Sequence, residues 1–449
     1  MFWKEAFDKS IKDQLKEAYP DFCACFDRDC PVSVRINPEK YQGVAPSEDK
    51  VAWCPEGYYL RTRPSFTLDP VLHAGGYYVQ EASSMFLDFV MKSIFKNIKG
   101  LKILDLCAAP GGKSTILANY IGESGLLVAN EVSKPRAFIV KENLIKWGNP
   151  NVVVTNHDPD DFEGLAGFFD VVLVDAPCSG EGLFRKDRDA AEEWSVSNVE
   201  KCTGRQKRIL NAACRLVKSG GYLIYSTCTY NDAENTENAR WILEQFDYKE
   251  YRLPVPEEMN IVEKKSGYQF YPHRVRGEGF YISLFQNQEN NTKALKSEKL
   301  VLPYQKMDKM DLTSILKYLK KPEDFAVYMK KNGELLTFQK AIIPDLSIIF
   351  KRLDKVFPIT QMGSFKGKDF IPEHELAMRI DCVTEGTLLE VDFENALNYL
   401  RKTDFKPVNE TDKFGWQIVR YGTYHLGWAK VLPGRINNYY PTEYRIRLK

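Results

Sequence analysis

Residues 104–115, LDLCAAPGGKST, decide how the rest of this chain is read. The apolar run before Cys107 predicts a strand, the double glycine a tight turn, and KSTILANYIGE a helix. Amides at Gly111 and Gly112 and the positive helix N-terminus suit an anionic group, and the missing side chains let a ligand approach the backbone. A phosphate-binding P-loop needs glycine five positions before Gly112, where Cys107 stands, so the Gly-Lys-Ser ending does not complete that motif. The G-x-G-x-x-G spacing of dinucleotide folds is also absent. A Rossmann-like α/β domain remains, with a ligand that carries a carboxylate and an adenosine.

Three further strands lead outward from this one. GLLVANEV ends in Glu131, with 18 residues between it and Gly112, close to the roughly 20-residue offset at which an acid holds a ribose diol. NVVVTNHD ends in Asp158, placed to meet an adenine edge. FDVVLVDAPC ends in Asp175, Pro177 and Cys178. Any one of these acids alone could equally cap a turn, but ligands of open α/β sheets bind at the carboxyl edge, where all of them fall. A fifth strand, GYLIYSTCTY, delivers Cys228 to the same edge.

DLCAAPGGKS, DAPCSGEG followed by FRKD, and GYLIYSTCTY with the trailing Glu234 resemble the Nop2/Sun family of RNA cytosine-C5 methyltransferases. SVRINP at 33–38 and YYVQEASSM at 77–85 resemble that family's lead-in, and the C-terminal third resembles the tail of its RsmF-like ribosomal RNA branch. The resemblance implies S-adenosyl-L-methionine as cofactor, held by Cys107, Ala108, Ala109, Pro110, Gly111, Gly112 and Lys113 with Glu131, Asp158 and Asp175. It also implies Cys228 as nucleophile and Cys178 as the residue that assists release.

The chemistry explains why two thiols are wanted. Carbon 5 of cytosine is a poor nucleophile until a group adds at carbon 6, and a thiolate can both attack and leave. After methylation the carbon-5 proton must be removed, directly or through water, so a second group completes the cycle. Taken alone, the residues leave the two cysteine roles interchangeable. Asp175 is the expected partner of the cytosine amino group and N3, with Lys113 beside it or beside the cofactor carboxylate.

The composition fits a cytoplasmic enzyme. There are ten cysteines in 449 residues and no apolar leader in MFWKEAFDKSIKDQL, which predicts neither secretion nor a disulfide framework. No apolar run is long enough to span a membrane. Cys23, Cys25 and Cys30 match no zinc spacing and read as structural, so no metal site is expected. With 62 Lys and Arg against 61 acids the formal charge is only +1, so RNA binding requires basic residues segregated onto one face. FRKDR at 184–188, GRQKRIL at 204–210, PHRVRGEG at 272–279 and the final RIRLK are the basic stretches, and Arg185 and Lys186 are expected to overhang the base pocket and contact phosphate.

Four units are expected: an α/β lead-in over 1–100, the catalytic domain over 101–287 closing on an antiparallel strand FYISLFQ, a linker over 288–300, and a PUA-like α+β RNA-binding region over 301–449. Gln80 and Glu81 either touch RNA or precede a helix cap. Trp416, Trp428, Tyr439 and Tyr440 either stack on unpaired bases or fill a core. The leading reading is a monomeric enzyme that methylates carbon 5 of cytosine in small-subunit (16S) ribosomal RNA, as naked RNA or in the small ribosomal subunit. A transfer RNA substrate and a catalytically silent ribosome-assembly factor are the alternatives; a small-molecule methyltransferase has no use for two strand-end thiols.

Overall fold

The computed structural model describes residues 2–96, 100–290, 301–307, 312–383, 388–409 and 411–448. Six strands make the body of its largest sheet: β1 (Lys102–Asp105), β2 (Leu126–Asn130), β3 (Val152–Thr155), β4 (Phe169–Asp175), β5 (Val217–Thr227) and β6 (Phe280–Asn287). β1 pairs in parallel with β2 on one side and β4 on the other; β3 lies beyond β2, β5 beyond β4, and β6 runs antiparallel to β5. LLVAN, VVVT and FDVVLVD are buried along almost their whole length. Helices on both faces of a parallel sheet demand such uninterrupted apolar runs. The chain steps from β1 to β2 to β3 and then returns to β4 and β5 on the opposite side, so the ligand crevice opens at the carboxyl ends around β1.

Local signals set the helices that border the crevice. Helix α1 (Gly112–Leu117) begins after Gly111, whose φ of 113° is costly for any residue with a Cβ. Helix α2 (Lys134–Trp147) ends at Gly148, where a side chain would strike the Met378 carbonyl. Helix α3 (Val196–Leu216) starts at Ser195, whose hydroxyl accepts from the Asn198 amide at 3.1 Å, a standard N-cap.

The lead-in is a three-stranded antiparallel sheet with Val32–Ile36 between Gly57–Leu60 and Tyr77–Val79. Arg35 in its central strand ties it to the glycine turn. The guanidinium is fully buried, lies 4.6 Å from the Trp147 ring, and donates to Gln80 Oε1 at 3.0 Å, Gly112 O at 3.3 Å and Thr115 Oγ1.

Beyond residue 300 the described chain forms a five-stranded sheet, from Gln305–Lys306 to Asp369–Pro372, and a four-stranded one, from Leu388–Val391 to Arg435–Asn438. One short strand within the stretch that forms the five-stranded sheet joins neither. Val356–Pro358 pairs antiparallel with β3 and extends the catalytic sheet from within a stretch read as a separate unit. Pro358 is tolerated because an edge strand leaves one row of amides unpaired. The expected linker falls mostly on residues 291–300, outside the described residues. Among the described residues no helix is long and apolar enough to cross a membrane.

Candidate active site

β4 and β5 are neighbours, with Asp175 in register opposite Ser226, so the loops that follow them leave the sheet side by side. Cys178 stands three residues past the end of β4 and Cys228 directly past the end of β5. Their sulfurs are 3.1 Å apart, and both are free thiols. Asp175 Oδ2 pairs with Lys113 Nζ at 2.8 Å and Oδ1 accepts from Ser226 Oγ at 2.8 Å. Burial opposes the Lys113 charge, but the Asp175 carboxylate and the nearby Cys228 sulfur outweigh it and raise its pKa. The contact with Cys228, reinforced by burial, pushes the Cys178 thiol well above its ordinary range. Cys178 is thereby favoured as the neutral thiol.

Two buried glutamates lock this arrangement reciprocally. Glu234, six residues beyond Cys228, accepts the amide of Ser179 at 3.0 Å and Gln206 Nε2 at 2.7 Å. Glu181, three residues beyond Cys178, accepts the amide of Tyr230 at 3.0 Å and Trp194 Nε1 at 3.0 Å. Each cysteine loop thus supplies the carboxylate that fixes the other's backbone, and Ser179 Oγ meets Thr229 Oγ1 at 3.0 Å between them. Gly182 completes the contact, because a Cβ there would lie 2.8 Å from the Cys228 carbonyl and 2.7 Å from that of Gly279. Nothing in the sequence singles out Glu181 except its place inside the Pro-Cys segment.

A cavity of about 910 Å³ opens beside the thiols, bounded by Cys107, Ala109, Pro110, Glu131, Asp158, Asp175, Cys178 and Cys228. Its size lies within the range of ligand sites. Glu131 is buried at the end of β2; one carboxylate oxygen accepts the Ser133 amide at 2.9 Å and the other lies 3.6 Å from Arg136. Ala108, Gly112 and Lys113 border a smaller cavity of about 170 Å³ on the lead-in side, with Asp105 and Asp175. Gly111 borders neither and serves as the turn before α1. Asp158 lines the large cavity, but Arg208 binds its carboxylate at 2.6 and 3.0 Å and lowers its pKa. The expected contact with an adenine edge thus meets a carboxylate already engaged by a cation 50 residues away in sequence, a pairing that spacing cannot reveal.

Several peripheral expectations resolve differently. Glu81 caps the following turn, accepting the Ser83 and Ser84 amides at 2.9 Å, while Gln80 serves Arg35. Trp428 and Tyr440 are core residues, but Trp416 and the half-exposed Tyr439 remain an open edge-to-face pair with centroids 4.4 Å apart. Arg185 donates to Gly277 O at 3.0 Å and Lys186 pairs with Glu278 at 3.0 Å. Both border a separate groove instead of the cavity that holds the thiols. Cys54, Glu56 and Asp88 converge as metal ligands do, but Lys92 ion-pairs with both carboxylates.

Asp105, at the end of β1, carries a pH dependence. Burial, opposed by the Ser114 hydroxyl 2.6 Å away and reinforced by the Asp175 charge, pushes its pKa up to about 7. A folded-state value above the unfolded one means that the native chain holds the extra proton, so this contribution is complete below about pH 4 and is lost as pH rises through 7. The span corresponds to roughly 4 kcal/mol. Chemical denaturation of Asp105→Asn across pH 4–8 is expected to give a shallower fall in stability with pH than the parent shows. An unchanged slope would mean that Asp105 does not set this dependence.

A parallel sheet reversing at β1, a glycine turn over a nucleotide-sized cavity and a buried acid at the end of β2 define the chain as a Rossmann-like, S-adenosylmethionine-dependent methyltransferase. Residues 94–286 match the family described as 16S rRNA methyltransferase RsmB/F, residues 4–82 the N-terminal domain of 16S rRNA methyltransferase RsmF, and residues 387–446 the methyltransferase RsmF PUA domain. The chain belongs to the RsmF family, within the Nop2/Sun group. It is 30% identical to the ribosomal RNA small subunit methyltransferase F of Erwinia tasmaniensis over 88% of this chain and 84% of that protein. The protein of the same name from Shewanella piezotolerans is 26% identical over 98% of this chain and 97% of its own length. Among solved structures, a methyltransferase homologue from Pyrococcus horikoshii superposes with a TM-score of 0.52 at 25% identity, covering 60% of this chain and 91% of the other. NSun6 from Pyrococcus horikoshii, with SFG, shares the fold at a TM-score of 0.53 and 19% identity, over 64% and 99% of the two chains.

Proposed function

We propose that this protein transfers a methyl group from S-adenosylmethionine to carbon 5 of a cytosine in small-subunit ribosomal RNA. The observation that carries the reading is the pair of thiols 3.1 Å apart beside the Lys113–Asp175 ion pair. A carbon-5 reaction on a pyrimidine has work for both sulfurs, whereas oxygen and nitrogen methylations need neither. The relatives' names and the match to a PUA domain support ribosomal RNA as the substrate.

The bound cofactor supplies an electrophilic methyl group on sulfur. Cys107–Gly112 and Glu131 are suited to hold it, Glu131 at the ribose diol. Lys113 and the Cys178 thiol, whose sulfur lies 3.1 Å from that of Cys228, stabilise the negative charge that develops on the Cys228 sulfur as it attacks. The Cys228 thiol passes its proton by way of the Asp175 carboxylate to N3 as its sulfur adds to carbon 6, and the displaced π electrons move toward carbon 4 and N3, so the ring stays neutral. Carbon 5 is then nucleophilic and would take the methyl group that a bound S-adenosylmethionine supplies, with S-adenosylhomocysteine as the product released. Water removes the carbon-5 proton, the electron pair restores the 5,6 double bond and expels the Cys228 sulfur, whose charge Cys178 again stabilises, and the N3 proton returns by way of Asp175 to that sulfur. The target cytosine must stand out of the base stack for this attack.

The test is transfer of labelled methyl by the purified protein to small subunits, naked ribosomal RNA and transfer RNA, all from cells lacking the gene. Label recovered as 5-methylcytosine in a ribosomal substrate is the expected result. Label only in transfer RNA would overturn the substrate, and label on another atom would overturn the chemistry.

A further inference from the structure

We infer that a basic groove between the lead-in and the catalytic domain is the track for the phosphodiester backbone of RNA next to the target base. The inference rests on the function proposed above and adds to it a binding surface away from the thiols. The groove encloses about 1000 Å³ and gathers six basic side chains, Arg28, Arg61, Arg63, Arg185, Lys186 and Arg276, against three acidic ones, Asp29, Asp49 and Glu278. For a chain with a formal charge of only +1, this is a strong segregation of charge.

The cations differ in how far they are already neutralised. Arg276 pairs with Asp49 and lies 4.0 Å from the Tyr59 ring, and Lys186 pairs with Glu278. Arg185 donates to the carbonyls of Gly277 at 3.0 Å, Asp29 at 3.2 Å and Arg28 at 3.5 Å, and among the described residues it makes no ion pair, although its charge is felt by Glu278. Arg28, Arg61 and Arg63 are exposed, and among the described residues none has a carboxylate partner. Three exposed guanidiniums from two separate segments, with no carboxylate partner among the described residues, therefore face one groove together with Arg185. Spread over an open surface and not converging on a buried point, they fit a string of phosphates better than a single small anion. Pro31, Val32, Leu60 and Val275 line the same groove and give sugars and bases an apolar surface between the charges.

The groove also abuts the chemistry. Its wall at 276–278 leads into Gly279, whose carbonyl packs on Gly182 of the Pro-Cys loop, and Glu278 O accepts the Tyr230 hydroxyl at 2.5 Å, two residues beyond Cys228. The groove and the thiol loops thus share one wall.

The deciding variant is Arg61→Gln with Arg63→Gln, two exposed positions outside the catalytic constellation. With a small-subunit ribosomal RNA fragment as probe, KM for RNA is expected to rise about tenfold with kcat within about twofold. The slope of log affinity against log salt should become shallower by about one to two, roughly one for each phosphate that is no longer neutralised. Affinity for S-adenosylmethionine should not change, and the double Arg→Lys variant should restore most of the binding. Parental KM and parental salt slope in the glutamine variant would overturn the groove. If the parent binds this RNA but methylates none, the proposed function fails, while the salt slope still decides the groove.

Discussion

Cys228→Ala is expected to abolish methyl transfer, by about 10⁴-fold or more, and to leave no covalent protein–RNA species on a denaturing gel, because the sulfur that opens carbon 5 to attack is gone. Cys178→Ala should behave differently. Cys228 still attacks and carbon 5 still takes the methyl group, but departure of the sulfur loses the hydrogen bond that spreads its charge. Methylated RNA should accumulate on the protein as a denaturant-resistant adduct. The asymmetry rests on the roles proposed for the two thiols, and the rise in the Cys178 pKa from its contact with Cys228 and its burial is in keeping with it. An adduct with Cys228→Ala and none with Cys178→Ala would exchange the two roles.

Glu234→Ala should lower activity by about a hundredfold while S-adenosylmethionine still binds. The substitution strands the buried Ser179 amide, at about 1–3 kcal/mol for an unpartnered group, and leaves Gln206 Nε2 only the Pro177 carbonyl at 3.1 Å. The Pro-Cys loop is then free to move Cys178 away from Cys228, and displacements near 1 Å at a reacting centre cost about this much rate. Glu234→Gln keeps one acceptor oxygen for the same donors and should retain most of the activity. The separating readout is the ratio of adduct to released product. Loop displacement should trap adduct in Glu234→Ala as in Cys178→Ala, whereas a general loss of folding would lower adduct and product together. Unaltered turnover with unaltered adduct would remove Glu234 from the positioning of the thiol.

Much of the catalytic sheet was legible in the sequence because its signals are local. Apolar runs such as VVLV end in small or polar residues, as strands of a parallel sheet covered on both faces do. Glycine at 111 and 112 announced the turn before any helix was assigned. The C-terminal aromatics were ambiguous for a physical reason: a ring that stacks on bases and a ring that fills a core share the same chemistry, and only burial divided Trp428 and Tyr440 from Trp416 and Tyr439. The basic stretches were visible too, but a cation's charge counts only after its partners are known. Arg208 spends its charge on Asp158, while Arg61 and Arg63 have no carboxylate partner among the described residues.

By itself the sequence determined the Rossmann-like core, the order of its strand-end acids and the presence of two thiols at one edge, since each is written in neighbouring residues. Only the tertiary structure decided the pairings between residues far apart in the chain: Arg35 on the Gly112 carbonyl, Arg208 on Asp158, the reciprocal hold of Glu181 and Glu234, and the Val356–Pro358 strand beside β3. Hydrogen bonds and ion pairs act over a few ångströms, and sequence spacing does not record which distant side chains are brought that close.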